Sequence, residues 1–317
     1  MITFVTFHAD ILAEEIEKNT PLDRDNFYDY QQTINLMFKS VDKFHSKCKK
    51  VILTNLETNL SFLAGDIQVQ RHPVNSREIM LSRLVSQLHF LQSHDFSSDV
   101  VLLDSDILIN DNLESLFIQE FDVALTVRAD QEMPINGGII YVSQKNPVSV
   151  INFFQKLYSL YTEKYQQKSQ WWGDQYALAD AIGYKASSKL EPGNIEIDGV
   201  NILLLPCEIY NFSPNYESDL DVCELKEQKV LHFKGLRKQY MSVYWENYLA
   251  LYGLQDWQKK NAIFQQQILA LHTDRLKLKA TIKNSQAEKV ELQRQIKSDV
   301  HTLQQEINVL QREKSKL

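Results

Sequence analysis

An α/β fold is predicted by three features of this 317-residue chain. Short apolar, β-branched runs recur along it, segments with helical spacing fall between them, and one fully apolar run ends in two clustered carboxylates. The first run, Ile2–Phe7, reads as a buried strand, and Val51–Leu53 as a second. Ile79, Met80, Leu84, Leu88 and Leu91 recur at helical spacing. Val100–Leu103 is continuous and apolar and stops at Asp104-Ser105-Asp106. Phe121–Val127 and Gly138–Val142 read as strands, Val150–Tyr165 and Asp174–Ile182 as helices, and Ile202–Leu205 and Val230–Phe233 as late strands. Strands alternating with helices predict a mainly parallel, Rossmann-like sheet covered on both faces.

Composition sets the limits. Hydrophobic residues make up 44% and charged residues 24%, which excludes wholesale disorder. No glycine follows Gly253 and no proline follows Pro214, so the last stretch holds neither helix breaker. From Gln258 onward 12 basic residues face 6 acidic ones, leaving Met1–Trp257 with 22 basic and 35 acidic. A body so acidic argues against nucleic acid as a partner, because phosphate contacts need a basic surface. No segment reaches the roughly 18 apolar residues of a membrane span, so no transmembrane segment is expected. Cys48, Cys207 and Cys223 are odd in number and fit no metal or CxxC spacing, so reduced thiols and a cytoplasmic location are expected.

Two domains follow, a body over residues 1–250 and a tail over 258–317. In the tail, Ile268, Leu271, Leu278 and Ile282, then Leu292, Ile296, Val300, Leu303, Ile307 and Leu310, keep a spacing near 3.5 residues with one stutter at Val300. The expectation is a long helix forming a coiled coil, and through it a homo-oligomer. Folding back on the body is the alternative.

The chemistry centres on Asp104-Ser105-Asp106. Ligands of open α/β sheets gather outside the carboxyl ends of the strands. Two carboxylates held this close repel unless a cation sits with them, and their hard oxygens suit Mg2+ or Mn2+. A solvated turn is the plain alternative. His232 ends an apolar strand and is a sensible third protein ligand. Lys234 and Lys238 offer charge for a diphosphate. Arg83 is either a substrate contact or an exposed helix residue pairing with Asp106. Gly137-Gly138 removes two side chains where a strand begins, either for a ligand's close approach or for a bulge. Asp174 stands at a predicted helix start, where N-capping competes with a functional role. Trp171-Trp172 beside it makes either a sugar-stacking wall or core.

Taken in order, these segments resemble the nucleotide-sugar-dependent glycosyltransferases of the GT-A fold. The run Asp99–Asn110 resembles their metal-binding strand, and most of all that of the retaining group that includes glycogenin and bacterial lipopolysaccharide galactosyltransferases. Arg83-Leu84 lies one helix earlier, where the family has an arginine at the nucleotide-sugar. Asn136-Gly137-Gly138 resembles the strand under the donor sugar, and Gly173-Asp174-Gln175 the helix start near the anomeric carbon. His232-Phe233-Lys234-Gly235 with Lys238 resembles the C-terminal His-x-x-Gly-x-x-Lys. His8-Ala9-Asp10 follows the first strand, where the family holds the base and ribose, although Ile11-Leu12 stands where a tyrosine is usual.

The resemblance extends over residues 1–245 and implies a metal-dependent hexosyltransferase with retention of configuration. Its metal ligands would be Asp104, Asp106 and His232. Donor contacts would come from His8, Ala9, Asp10, Arg83, Asp104, Ser105, Asn136, Gly137, Gly138, Gly235 and Lys238, and Asp174 and Gln175 would stand at the reacting carbon. The implied donor is a nucleoside-diphosphate sugar, UDP favoured over GDP, and the acceptor a glycan or other hydroxyl compound. Acceptor contacts are expected from the loops at 130–134, 187–198 and 211–221. The rivals are a non-catalytic scaffold of the same fold and a sugar nucleotidyltransferase. The lack of any glycine before Gly65 counts against the latter.

Overall fold

Alternation along the strands builds two cores. In the computed structural model, which describes residues 1–11, 29–167, 172–186, 189–220, 225, 227–251 and separate helical residues between 268 and 304, strands β1 (Ile2–Phe7), β2 (Cys48–Thr54) and β4 (Asp99–Leu103) are the buried centre of the sheet. Phe4, Ile52, Val101 and Leu103 point into one core, while Val5, Val51, Leu53, Val100 and Leu102 point into the other. With both faces covered, these strands read as continuous apolar runs, which is why the sequence betrays them.

The sheet has eight strands in the order β3-β2-β1-β4-β7-β6-β9-β8, with β3 Gln68–Arg71, β6 Val123–Val127, β7 Ile135–Val142, β8 Gly193–Ile197 and β9 Val200–Pro206. It is mixed. β1 is parallel to β2 and β4, β2 to β3, and β6 to β9, whereas β7 runs antiparallel to both neighbours and β8 antiparallel to β9. Asp198 and Gly199 close the β8–β9 hairpin, both at positive φ, as a two-residue turn requires.

Helix α1 (Tyr30–Phe44) sends Ile34, Met37, Phe38 and Val41 into the first core, and Asp29 caps it by accepting from Gln32 N at 3.1 Å. Helices α2 (Ile79–Ser93), α3 (Pro147–Leu160) and α4 (Gly173–Ala181) cover the second core through Leu84, Leu88, Leu91, Phe153, Phe154, Leu157, Ala177 and Leu178. Pro147 opens α3 at a position that needs no amide proton. Strands β5 (Ile107–Ile109) and β10 (Val230–His232) form a separate antiparallel ribbon, followed by α5 (Gln239–Tyr244).

Some expectations shift. The strand expected over Gly138–Val142 begins earlier, at Ile135, so Asn136-Gly137-Gly138 lies within the first half of β7. The predicted helix to Tyr165 is α3 followed by one π-helical turn, Tyr161–Tyr165. Cys48 and Cys207 are free thiols, and Cys223 and Trp171 lie outside the described residues.

The chain divides into two units, Met1–Ala250 and Leu251–Leu317. In the second, the described residues from 268 onward are helical, and Leu271, Leu278, Ile282, Leu292, Ile296, Val300 and Leu303 are all exposed. Ile307 and Leu310 lie outside the described residues. No helix among the described residues is long and apolar enough to cross a membrane.

Candidate functional site

Chain order places the site where the sheet changes direction. β2 and β3 lie to one side of β1, and the chain then crosses to β4 on the other side, so β1 and β4 end side by side at a topological switch point. Asp104 follows β4, and its N–H donates to Gly138 O at 2.8 Å. The turn through Ser105 and Asp106 leads into β5. The β5–β10 register sets His232 opposite Ile107, one residue past Asp106, and Phe233 N donates to Asp106 O at 2.8 Å.

Two polar clusters result. His232 Nε2 lies 3.2 Å from Asp106 Oδ1 and 3.8 Å from Asp104 Oδ2, and Lys238 Nζ lies 2.7 Å from Asp106 Oδ2. Arg83, on α2, bridges Asp104 and Asp174. Arg83 is therefore neither exposed nor paired with Asp106. Asp174 is not an N-cap either. It sits inside the first turn of α4, buried, with Oδ2 on Arg83 and Oδ1 without a hydrogen-bond partner.

Electrostatics separates Asp106 from Asp174. Burial pushes Asp106 up, but His232 and Lys238 outweigh it and hold the carboxyl well below the usual range. Burial also pushes Asp174 up, and there Arg83 only partly offsets it. His232 is pushed down by burial, against the pull of Asp106. Burial lowers Lys238 but Asp106 raises it further, so its ammonium persists. Lys234 is largely buried, and burial followed by Arg128 brings it down to about 8.

The glycines make room for protein groups. A Cβ on Gly138 would overlap the His232 ring and approach Asp104 Oδ2 to 3.2 Å, and one on Gly137 would meet Asp174 Oδ2 at 3.2 Å and Gln175 Cγ at 3.4 Å. The expected opening for a ligand is filled by the cluster itself. Asn136 turns its side-chain oxygen to Gly138 N at 3.1 Å. Gly235, at φ +56°, starts the turn that brings Lys238 back to Asp106. His8-Ala9-Asp10 leaves the adjoining end of β1. His8 Nε2 lies 3.3 Å from Asp10 Oδ1, and Asp10 N donates to Thr58 Oγ1 at 2.7 Å.

Other residues were not singled out from the sequence. Tyr30 packs near His8 in a tilted arrangement, with ring centroids 5.9 Å apart. Asn211, expected in an acceptor loop, is 1% exposed, with Oδ1 2.9 Å from His232 Nδ1. Its neighbour in the network is Thr126. A polar residue within an apolar strand, as in Phe121–Val127, was the signal available for Thr126.

Asp104, Asp106 and His232 each offer a ligand atom, and these atoms lie within 4.8 Å of one another. Two hard oxygens and an imidazole fit Mn2+ or Mg2+. Asp104 and Asp174 share the single guanidinium of Arg83, which leaves that side of the cluster with negative charge that a cation would balance.

No protein-family model and no curated protein matches the chain. Among solved structures it is similar to the glycosyltransferase GlyE of Streptococcus pneumoniae TIGR4, with 17% identity and a TM-score of 0.49 over 84% of this chain and 64% of that one. It is also similar to the galactosyltransferase LgtC in complex with donor and acceptor sugar analogs, with 14% identity and a TM-score of 0.48 over 81% and 99%. A third is a glycosyltransferase involved in glycosylation of the major capsid of PBCV-1, with 12% identity and a TM-score of 0.46 over 77% and 98%. The chain spans under two thirds of GlyE and about half of the bifunctional WbbM.

Proposed function

We propose that this protein is a divalent-metal-dependent glycosyltransferase that moves a sugar from a nucleoside diphosphate, UDP favoured and GDP second, to an acceptor hydroxyl with retention. The observation that carries the reading is the convergence of Asp104, Asp106 and His232, from two separate stretches of chain, at the switch point of the sheet. Mn2+ or Mg2+ held by these three residues would supply Lewis-acid charge to the leaving diphosphate.

The chain's own groups account for the rest. Lys238, beside Asp106, and Lys234, two residues past His232, provide positive charge close to the cluster. His8, Ala9 and Asp10, at the end of β1, would hold the base and ribose. Asn136, Gly137 and Gly138 would form the floor under the donor sugar, and Ser105 and Gly235 would present backbone to the phosphates. Asp174 would face the donor sugar, with Arg83 fixing one of its carboxylate oxygens. Gln175, beside it on α4, would orient the same sugar. The bond from the anomeric carbon to the diphosphate oxygen breaks as the bond to the acceptor oxygen forms. The acceptor's proton passes to the departing diphosphate. The exposed apolar row on the tail helix supports self-association of the tail as a coiled coil.

The test is incubation of the purified protein with UDP- and GDP-sugars and Mn2+, following diphosphate release with and without EDTA. Slow, EDTA-sensitive turnover of one donor is expected. Absence of binding by every donor would overturn the reading in favour of a scaffold.

A further inference from the structure

We infer that Asn211 is a positioning residue for His232, holding the imidazole in the tautomer that turns a bare Nε2 toward Asp104 and Asp106. This rests on the reading of that cluster as a cation site. The network around Asn211 leaves its carboxamide one orientation. Thr126 Oγ1 donates its single proton to Asn136 O at 3.0 Å, so its lone pairs are left to accept from Asn211 Nδ2 at 2.8 Å. The same Nδ2 lies 3.5 Å from Asn136 O. Flipping the amide would set Oδ1 against a carbonyl oxygen and against a hydroxyl whose proton is already committed. Oδ1 therefore faces His232 Nδ1 at 2.9 Å, and Nδ1 carries the hydrogen.

The backbone fixes the same geometry. A register shift between Leu125 and Thr126 in the β6–β7 pairing interrupts the ladder where Thr126 meets Asn211. Phe212, next to Asn211, donates from its N–H to Val230 O at 3.0 Å, and its carbonyl accepts from His232 N at 2.7 Å. Asn211 is thus held at a set distance from β10, and the ring fills the space that a Cβ on Gly138 would occupy. A metal-bound histidine commonly has its second nitrogen oriented by such a partner.

The experiment compares Asn211→Leu and Asn211→Asp with the unaltered protein. Mn2+ affinity is measured by electron paramagnetic resonance with the metal alone, and stability by urea unfolding. Asn211→Leu should weaken Mn2+ binding about 10- to 100-fold. Asn211→Asp retains an acceptor oxygen and should keep near-normal affinity, yet it should be the less stable variant because it buries a carboxylate beside a carbonyl. Affinity that instead follows stability, or unchanged affinity in Asn211→Leu, overturns the inference alone. Failure of the unaltered protein to bind Mn2+ overturns the cation-site reading and the inference with it. Long-range proton–nitrogen spectra of the unaltered, Mg2+-loaded protein need no variant. A proton on His232 Nδ1 is expected, and a proton on Nε2 would refute the assignment.

Discussion

The two aspartates of the Asp104-Ser105-Asp106 turn stand in opposite electrostatic settings. Asp106 lies between an ammonium and an imidazole, its side chain 11% exposed, and is held ionised well below the ordinary range. Asp104 shares one guanidinium with a second carboxylate, Asp174, and its side chain is 30% exposed. The Asp106 side is balanced and preorganised, and the Asp104 side carries surplus negative charge near solvent. Clustered carboxylates therefore need not be equivalent. One can be a rigid anchor and the other the face that draws a cation in.

The sharpest way to break this contrast is Asp106→Ala. Donor turnover should fall by about 10³-fold or more, the loss expected when several kcal/mol of metal-derived stabilisation disappear, while circular dichroism shows the fold retained. Full activity in that variant would remove Asp106 from the site.

Arg83→Met attacks the other side. It leaves Asp104 and Asp174 without their shared cation, and urea unfolding at pH 7 should show a loss of about 3 kcal/mol. Asp174 is already raised by burial, so without Arg83 the folded state binds protons more readily than the unfolded chain. Stability lost at pH 7 should then be partly recovered as the pH falls toward 5. A deficit that grows on acidification would contradict this account.

The smallest effect is expected at Lys234. Its folded value is lowered to about 8, so below that pH the fold carries a buried ammonium that the unfolded chain hydrates freely. Lys234→Met should stabilise the protein by on the order of 1 kcal/mol at pH 7. The gain should vanish as the pH rises past 8 toward the ordinary lysine range, while donor affinity weakens. No gain at pH 7 would show that Lys234 is better solvated than its burial implies.

The central strands were legible because burial on both faces leaves continuous apolar runs, and the Asp104-Ser105-Asp106 turn because it interrupts one of them. The pairing of His232 with Asp106 followed from motif order. What the sequence hid depended on register and side-chain reach. Arg83 extends from α2 to α4, so its partner Asp174 lies on an element that local spacing cannot locate. Asn211 and Thr126 meet through contacts between separate strands and loops. Helix α1 carries a helical apolar spacing of its own in Ile34, Met37, Phe38 and Val41. The β8–β9 hairpin was announced only by Asp198-Gly199.

All eight strands of the main sheet precede Cys207, yet the imidazole that completes the cluster arrives with β10 at residue 232. During synthesis from the N-terminus the sheet can assemble before the ribbon that joins β5 to β10 exists. Competence to grip a cation is thus the last property the body gains.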